Sequence, residues 1–136
     1  WCMIGYHSVS VIADAVIKDV YDEDLDEALE ACIQTATYPI YDGLEYYMKL
    51  GFVPEDKNSA SVSKTLEYAY DDWCIAQIAG VTEDFQAYDD FTERSKNFFN
   101  VFEPRSGFMR PRLSDGSFRK DFDPLDTHES HYRNEY

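Results

Sequence analysis

Residues 61–77 of this chain, Ser-Val-Ser-Lys-Thr-Leu-Glu-Tyr-Ala-Tyr-Asp-Asp-Trp-Cys-Ile-Ala-Gln, constrain its fold more than any other stretch. At about 100° per residue, Val62, Leu66, Ala69, Trp73 and Ala76 share one face of a helix. Lys64, Glu67, Tyr68 and Asp71 share the opposite face, with Asp72 at its margin, and Ile75 and Ile78 continue it. A simple surface helix keeps its outer stripe polar throughout. This stripe turns apolar, which predicts a helix buried on both sides whose charged first turns open onto a cavity or cleft. Charges in such a place are costly unless they are paired or in use. Two readings stand side by side: an internal ion-pair network capped by Lys64, or the wall of a functional pocket.

A helix buried this way needs a real core around it, and the composition provides one. Hydrophobic residues make up 44% and aromatics 16% of 136 residues, enough for one modest domain and too much for a disordered chain. The net charge is −15, from 12 basic and 27 acidic residues, so a polyanion such as DNA is repelled and no nucleic-acid partner is expected. Asp22-Glu23-Asp24-Leu25-Asp26-Glu27 is not a calcium loop, because it lacks the central Gly and the terminal Glu spacing of an EF-hand. It reads as a helix start, with acids at the positive end of the dipole. Cys2, Cys32 and Cys74 are odd in number and far apart, with no metal-ligand spacing, so buried free thiols are expected. No apolar run approaches a membrane span, and Trp1, with no initiator Met or signal core, is expected to be a cut edge.

Along the chain the period is helical. His7 to about Val20 carries Val9, Ile12, Val16 and Val20 on one face and Val11 and Ala15 on another, which predicts burial on two sides. Asp24 to about Ala36 is amphipathic, with Leu25, Ala28, Leu29, Cys32 and Ile33 inward, and Asp24 with Glu27 resembles a capping box. A shorter helix over 42–51 stops at Gly51, and Pro54 marks a loop. Gly80 is the predicted C-cap of the 61–79 helix and Thr82 the N-cap of the next. That next helix, Glu83 to about Phe102, places Phe85, Tyr88, Phe91, Ser95, Phe98 and Phe102 on an inward stripe. The alternation of buried and amphipathic helices predicts an all-α, layered toroid or solenoid. From Glu103 the chain becomes a long ordered loop punctuated by Pro and Gly, with a small hairpin over 113–118. The helical portion is thus 1–102 and the loop with the C-terminal edge 103–136, of which 126–136 has little to bury.

Four candidate chemistries follow. His7, Ser10 and Asp14 share a helical stripe, but about 1.5 Å of rise per residue leaves His7 and Asp14 roughly 10 Å apart, too far for a triad. His128-Glu129-Ser130-His131 is not the zincin pattern, whose histidines stand one helical turn apart. Arg110 and Arg112 suit either a carboxylate or sugar ligand or packing against acidic neighbours. Glu67, Asp71 and Asp72 have the chemistry of a carbohydrate site, with Tyr70 or Trp73 available to stack on a ring. One turn apart on one helix, however, they are poorly placed to straddle a glycosidic bond as acid and base.

Three blocks carry a family resemblance: Met3-Ile4-Gly5-Tyr6-His7-Ser8 running to Asp14-Ala15; Gly51-Phe52-Val53-Pro54 with residues 61–73; and Arg94 through Phe102-Glu103-Pro104-Arg105-Ser106-Gly107-Phe108-Met109-Arg110 to Asp115-Gly116 and Phe122-Asp123-Pro124. In order and over nearly the whole chain, they resemble the glycoside hydrolase family 92 α-mannosidases. The resemblance implies a piece of a six-hairpin (α/α) toroid. It implies a parent enzyme that removes terminal α-mannosides from glycans with inversion, calcium assisting distortion of the sugar. Further implications are a secreted, periplasmic or cell-surface bacterial setting, and partners in the missing N- and C-terminal portions of the same enzyme.

The family's general acid lies in a Glu-Gly-Asn-x-x-Gln-Tyr motif that should begin where this sequence stops, at Glu135-Tyr136. Neither Glu129 nor Glu135 matches that motif. The general-base carboxylates and calcium ligands lie later still, so no catalytic residue and no bound calcium is expected here. The chain is then a catalytically silent fragment that supplies scaffold and pocket wall, with Glu67, Asp71, Asp72 and His7 as the substrate-binding candidates. The competing reading is a non-catalytic acidic helical module that binds a protein or a glycan.

Overall fold

The computed structural model describes residues 3–125; Trp1, Cys2 and residues 126–136, with the His128–His131 cluster, Glu129 and Glu135, lie outside the described residues. Among the described residues five α-helices follow one another, Ser8–Ile17 (α1), Leu25–Ala36 (α2), Leu44–Leu50 (α3), Ser61–Val81 (α4) and Phe85–Arg94 (α5). A 3₁₀ helix, Ser95–Val101, and a two-stranded ribbon, Phe102–Glu103 (β1) and Phe108–Met109 (β2), complete the order. The helices belong to two compact units: Trp1–Tyr38 with Glu67–Lys96, and Pro39–Leu66 with Asn97–Tyr136.

In the first unit, α1 buries Val9, Ala13 and Val16 and packs against α2. Its second predicted face does not hold, since Val11 is exposed; Val20, assigned to the first face, is exposed too, because the helix ends at Ile17 and Asp19 turns the chain through a left-handed φ of 59°. Helix α2 begins as expected, the Asp24 side chain accepting the Glu27 N–H at 3.0 Å, and it buries Leu29, Cys32 and Ala36. Cys32 and Cys74 are buried free thiols.

Helix α4 is buried nearly all round, as its sequence demands, but its exposed strip is not the charged one. Tyr70 and Trp73 are about half exposed and stack on each other at 6.4 Å, whereas Asp71 and Asp72 are fully buried. Trp73 therefore leaves the face assigned to it with Val62 and Ala69. Gly80 does not cap α4, which continues to Val81; the turn falls on Glu83, left-handed at φ 60°, and the N-cap of α5 is Asp84, not Thr82. The Asp84 side chain accepts the Ala87 N–H at 3.0 Å. The long helix predicted from Glu83 tightens into 3₁₀ geometry after Arg94, and its inward stripe is reduced: Phe91 is buried while Phe85 and Tyr88 are exposed.

The second unit holds α3 between Gly43 and Gly51, with Leu44 and Tyr47 buried. Its core packs Phe52, Val62 and Val101 with Leu66 and Met109. The first turns of α4 are fixed there by Thr65, whose hydroxyl accepts the Val53 N–H at 3.0 Å and donates to the Ser61 carbonyl at 2.8 Å. The segment after Val101 is ordered by its arginines. Arg110 pairs with Glu103 at 2.8 Å and lies over the Phe122 ring, and Arg112 sits between the Phe52 and Phe118 rings. The hairpin predicted around Leu113–Phe118 forms, closed by a Leu113 N–H to Ser117 carbonyl bond of 2.9 Å and an Arg112–Phe118 bridge.

Candidate functional site

Two neighbouring carboxylates on α4, Asp71 and Asp72, have no solvent exposure, so each needs donors of its own. The tripeptide Gly5-Tyr6-His7, just before α1, supplies most of them. The Tyr6 backbone N–H donates to Asp71 Oδ2 at 2.8 Å and the Tyr6 hydroxyl to Asp72 Oδ1 at 2.8 Å. The Tyr6 ring stacks on Tyr68 with centroids 5.4 Å apart. His7 Nδ1 lies 2.9 Å from Asp71 Oδ1. Gly5 makes this approach possible at a φ of +90°, where a Cβ would stand 2.7 Å from His7 Cε1 and 2.8 Å from Asp71 Oδ2.

The countercharge for Asp72 comes from α5. Arg94 grips both of its oxygens, Nε to Oδ2 at 3.2 Å and Nη2 to Oδ1 at 3.1 Å, and Nη2 also donates to the Ala36 carbonyl at 3.0 Å. This planar, two-pronged geometry is what a guanidinium does best. Lys64 caps no such network. It is itself buried and turns to Asp42 at 2.7 Å and to Asn58.

Asp71 has no such cation. Burial pushes its carboxyl above the ordinary range, with the Glu67 charge adding to the rise, while the bonds from His7 and the Tyr6 amide pull against it. Ahead of it the cluster opens to solvent. Side-chain exposure is 26% at His7 and 38% at Glu67, and His7 Nε2 stands 3.6 Å from Glu67 Oε2, beyond hydrogen-bond reach. The four predicted pocket residues are therefore brought together in two ranks, His7 and Glu67 at the surface, Asp71 and Asp72 behind.

The other candidates resolve into structural roles. Ser10 donates to the His7 carbonyl at 2.8 Å and Asp14 pairs with Lys18 at 2.8 Å, so no triad forms. Arg110 is tied to Glu103 and to the Arg119 carbonyl, and Arg112 to the Gly116 carbonyl at 2.9 Å and the Asn100 carbonyl of the 3₁₀ helix at 3.0 Å. Sequence reasoning missed Tyr6 and Arg94. The only signal for either was the requirement that buried acids find donors, which names a kind of residue and no position. Two surface grooves, one lined by Pro39, Ile40, Gly43, Glu45 and Tyr46 and one by Leu29, Glu30, Ile33, Gln34 and Asp84, do not touch the cluster.

Among the described residues, no group of three or more His, Cys, Asp or Glu is arranged to hold a metal ion. The cluster itself does not suit calcium, which takes six to eight oxygens. Here the Asp71 and Asp72 oxygens already receive N–H, hydroxyl and guanidinium donors. Among the described residues no helix is long and apolar enough to cross a membrane.

The chain matches the profile of the glycosyl hydrolase family 92 catalytic domain over residues 1–136. It is 46% identical to a family 92 α-mannosidase of Bacteroides thetaiotaomicron solved with mannoimidazole, at a TM-score of 0.89 over 92% of this chain and 16% of that one. A family 92 inverting mannosidase of Bacteroides thetaiotaomicron VPI-5482 is 39% identical, with a TM-score of 0.85 over 90% of this chain and 18% of that one. A curated relative described as an uncharacterized secreted glycosidase of Arthroderma benhamiae is 27% identical over 143 residues, 84% of this chain and 18% of the relative. The chain thus spans less than a fifth of the length of these relatives. It is a member of glycosyl hydrolase family 92, and its helices correspond to part of that family's α/α toroid.

Proposed function

We propose that this chain acts within a secreted, inverting, calcium-dependent exo-α-mannosidase that removes mannose from glycans. The 46% identity to the mannoimidazole-bound mannosidase is the observation that carries this reading. Residues 1–102 serve as the helical-hairpin portion of the toroid and 103–136 as its loop and C-terminal edge. Within that portion, His7 and Glu67 form the pocket wall that touches sugar, and Asp71 and Asp72 hold the wall in place. An inverting hydrolase needs two carboxyl groups on opposite sides of the scissile bond, with room for water between them. Only one carboxylate of this cluster, Glu67, reaches the surface. The acid, the base and the calcium ligands are therefore supplied by other parts of the enzyme, and these 136 residues alone are silent.

The test is hydrolysis of α-mannosides by the complete enzyme, with and without a calcium chelator, following the anomer of the first-formed mannose by NMR. The reading expects β-mannose, loss of activity on chelation, and no hydrolysis by residues 1–136 alone. In the complete enzyme, Glu67→Ala is expected to lower kcat/KM at least tenfold with a much smaller change in stability. Unchanged kinetics with a lower melting temperature make Glu67 purely structural. Glycan binding without hydrolysis by the complete protein supports a non-catalytic module instead.

A further inference from the structure

The two ranks of the His7 cluster carry an inference about how sugar is recognised, and it rests on the reading of His7 and Glu67 as pocket wall. An ionised carboxylate only accepts hydrogen bonds. Asp71 faces Tyr6 N–H with Oδ2 and His7 Nδ1 with Oδ1, at 2.8 and 2.9 Å, an arrangement that suits a ring proton on Nδ1. In a neutral ring of that tautomer Nε2 is an acceptor, and so is its neighbour at 3.6 Å, the Glu67 carboxylate, which is an ion-pair partner only of the charged ring. Two half-exposed acceptors side by side suit a ligand that offers two adjacent donors, as neighbouring ring hydroxyls do.

We propose that Asp71 is a positioning residue that fixes the tautomer of His7, so that His7 Nε2 and Glu67 act as a paired-acceptor clamp on adjacent hydroxyls of the sugar. Asp71 has no exposure, and it acts through the imidazole. Gly5 belongs to the same device, because a side chain there collides with both partners. Asparagine at position 71 does not reproduce the arrangement. It offers one oxygen and one NH₂ to two donors, so either the Tyr6 amide or the Nδ1 proton loses its acceptor.

Two His7 variants separate the clamp from a merely structural histidine. In the complete enzyme, H7N keeps an N–H for Asp71 but removes Nε2, whereas H7Q places an acceptor near Nε2 and gives up the tie to Asp71. The clamp expects H7N to raise KM about tenfold, as loss of one hydrogen bond to a hydroxyl does, with a smaller rise in H7Q. It further expects H7N to lose the discrimination that wild type shows against one member of a monodeoxy-mannoside series. H7N equal to wild type across that series, with H7Q impaired, overturns the clamp and leaves α-mannosidase activity standing. If wild type neither binds nor cleaves α-mannosides, the pocket reading fails instead. Histidine ¹⁵N spectra still decide the tautomer, with the His7 signals identified by their loss in H7N: a proton on Nδ1, moved or lost in D71N, supports Asp71 as its positioner, and a proton on Nε2 overturns it.

Discussion

Replacing Arg94 by methionine isolates the compensation of Asp72, because methionine keeps most of the aliphatic stem and removes only the guanidinium. Arg94 meets the two Asp72 oxygens at 3.1 and 3.2 Å, and Asp72 has no exposure of its own. At an effective dielectric of about 20, unit charges at that distance attract by about 5 kcal/mol. Desolvation consumes much of this in the intact pair, so the pair's net worth is small. The single substitution is different, since it removes the countercharge from a buried carboxylate and leaves the Tyr6 hydroxyl among its donors. It also frees the Ala36 carbonyl, which accepts from Arg94 at 3.0 Å. The expected cost of R94M is about 3–5 kcal/mol, and D72N/R94M is expected to cost about 2 kcal/mol less than the two single substitutions added together. Hydrogen exchange of peptides from α4 and α5 reads this locally, and 3 kcal/mol corresponds to roughly a hundredfold loss of protection. R94M within about 0.5 kcal/mol of wild type, or strict additivity in the cycle, refutes the argument that Arg94 holds this carboxylate in the core.

Three further outcomes are expected. Gly5→Ala combines a strained φ of +90° with overlaps of 2.7 and 2.8 Å, so it should cost about 2 kcal/mol or more and weaken sugar binding, both readable in a melting curve and in KM. Burial pushes the Cys32 thiol from 9.0 up to about 11, so near pH 8 its reaction with an aromatic disulfide should run about a hundredfold slower than that of an open thiol. Because the folded value is the raised one, its stabilising contribution is complete below pH 9 and is lost as pH rises through about 11; the gap in melting temperature between wild type and C32A should close across that window. Asp84→Ala should cost about 1 kcal/mol through the lost cap on the Ala87 N–H, whereas Thr82→Ala should stay within about 0.5 kcal/mol, and equal effects in thermal unfolding refute the assignment of the cap.

Much of the fold was legible because helical period and turn chemistry are local. Asp24 as a cap, Gly51 as a stop and the hairpin after Arg112 each depend on residues within a few positions. The failures were local rules overridden at a distance. Gly80 has the chemistry of a cap, yet α4 continues because Glu83 takes the left-handed turn instead. Trp73 fell on an apolar stripe by spacing, and yet its ring lies outside, against Tyr70. The site followed the same division. Spacing put Glu67, Asp71 and Asp72 on one side of α4. The cation of Asp72, however, is 22 residues further along the chain, and the tripeptide that meets Asp71 and Asp72 is more than 60 residues earlier.

Asp71 and Asp72 are adjacent in sequence and equally buried, yet the fold compensates them by different means, and the difference separates stability from function. Asp72 receives a fixed charge, a guanidinium that stays protonated at any working pH and binds with two prongs. A carboxylate held that way is locked, joining Tyr6 to α4 and α5. Asp71 receives no cation of that kind. Its donors are a backbone amide and an imidazole, which leaves the carboxyl pushed up by burial and places a ring between it and solvent. An uncharged side chain at position 71 would bury no charge at all, but it would not meet both the Tyr6 amide and the imidazole as this carboxylate does. A buried acid that accepts the hydrogen bond of a partly buried histidine instead presents a defined ring nitrogen to whatever occupies the space beside Glu67. Variants at Asp72 and Arg94 should therefore act first on unfolding, and variants at Asp71 and His7 first on the KM for sugar.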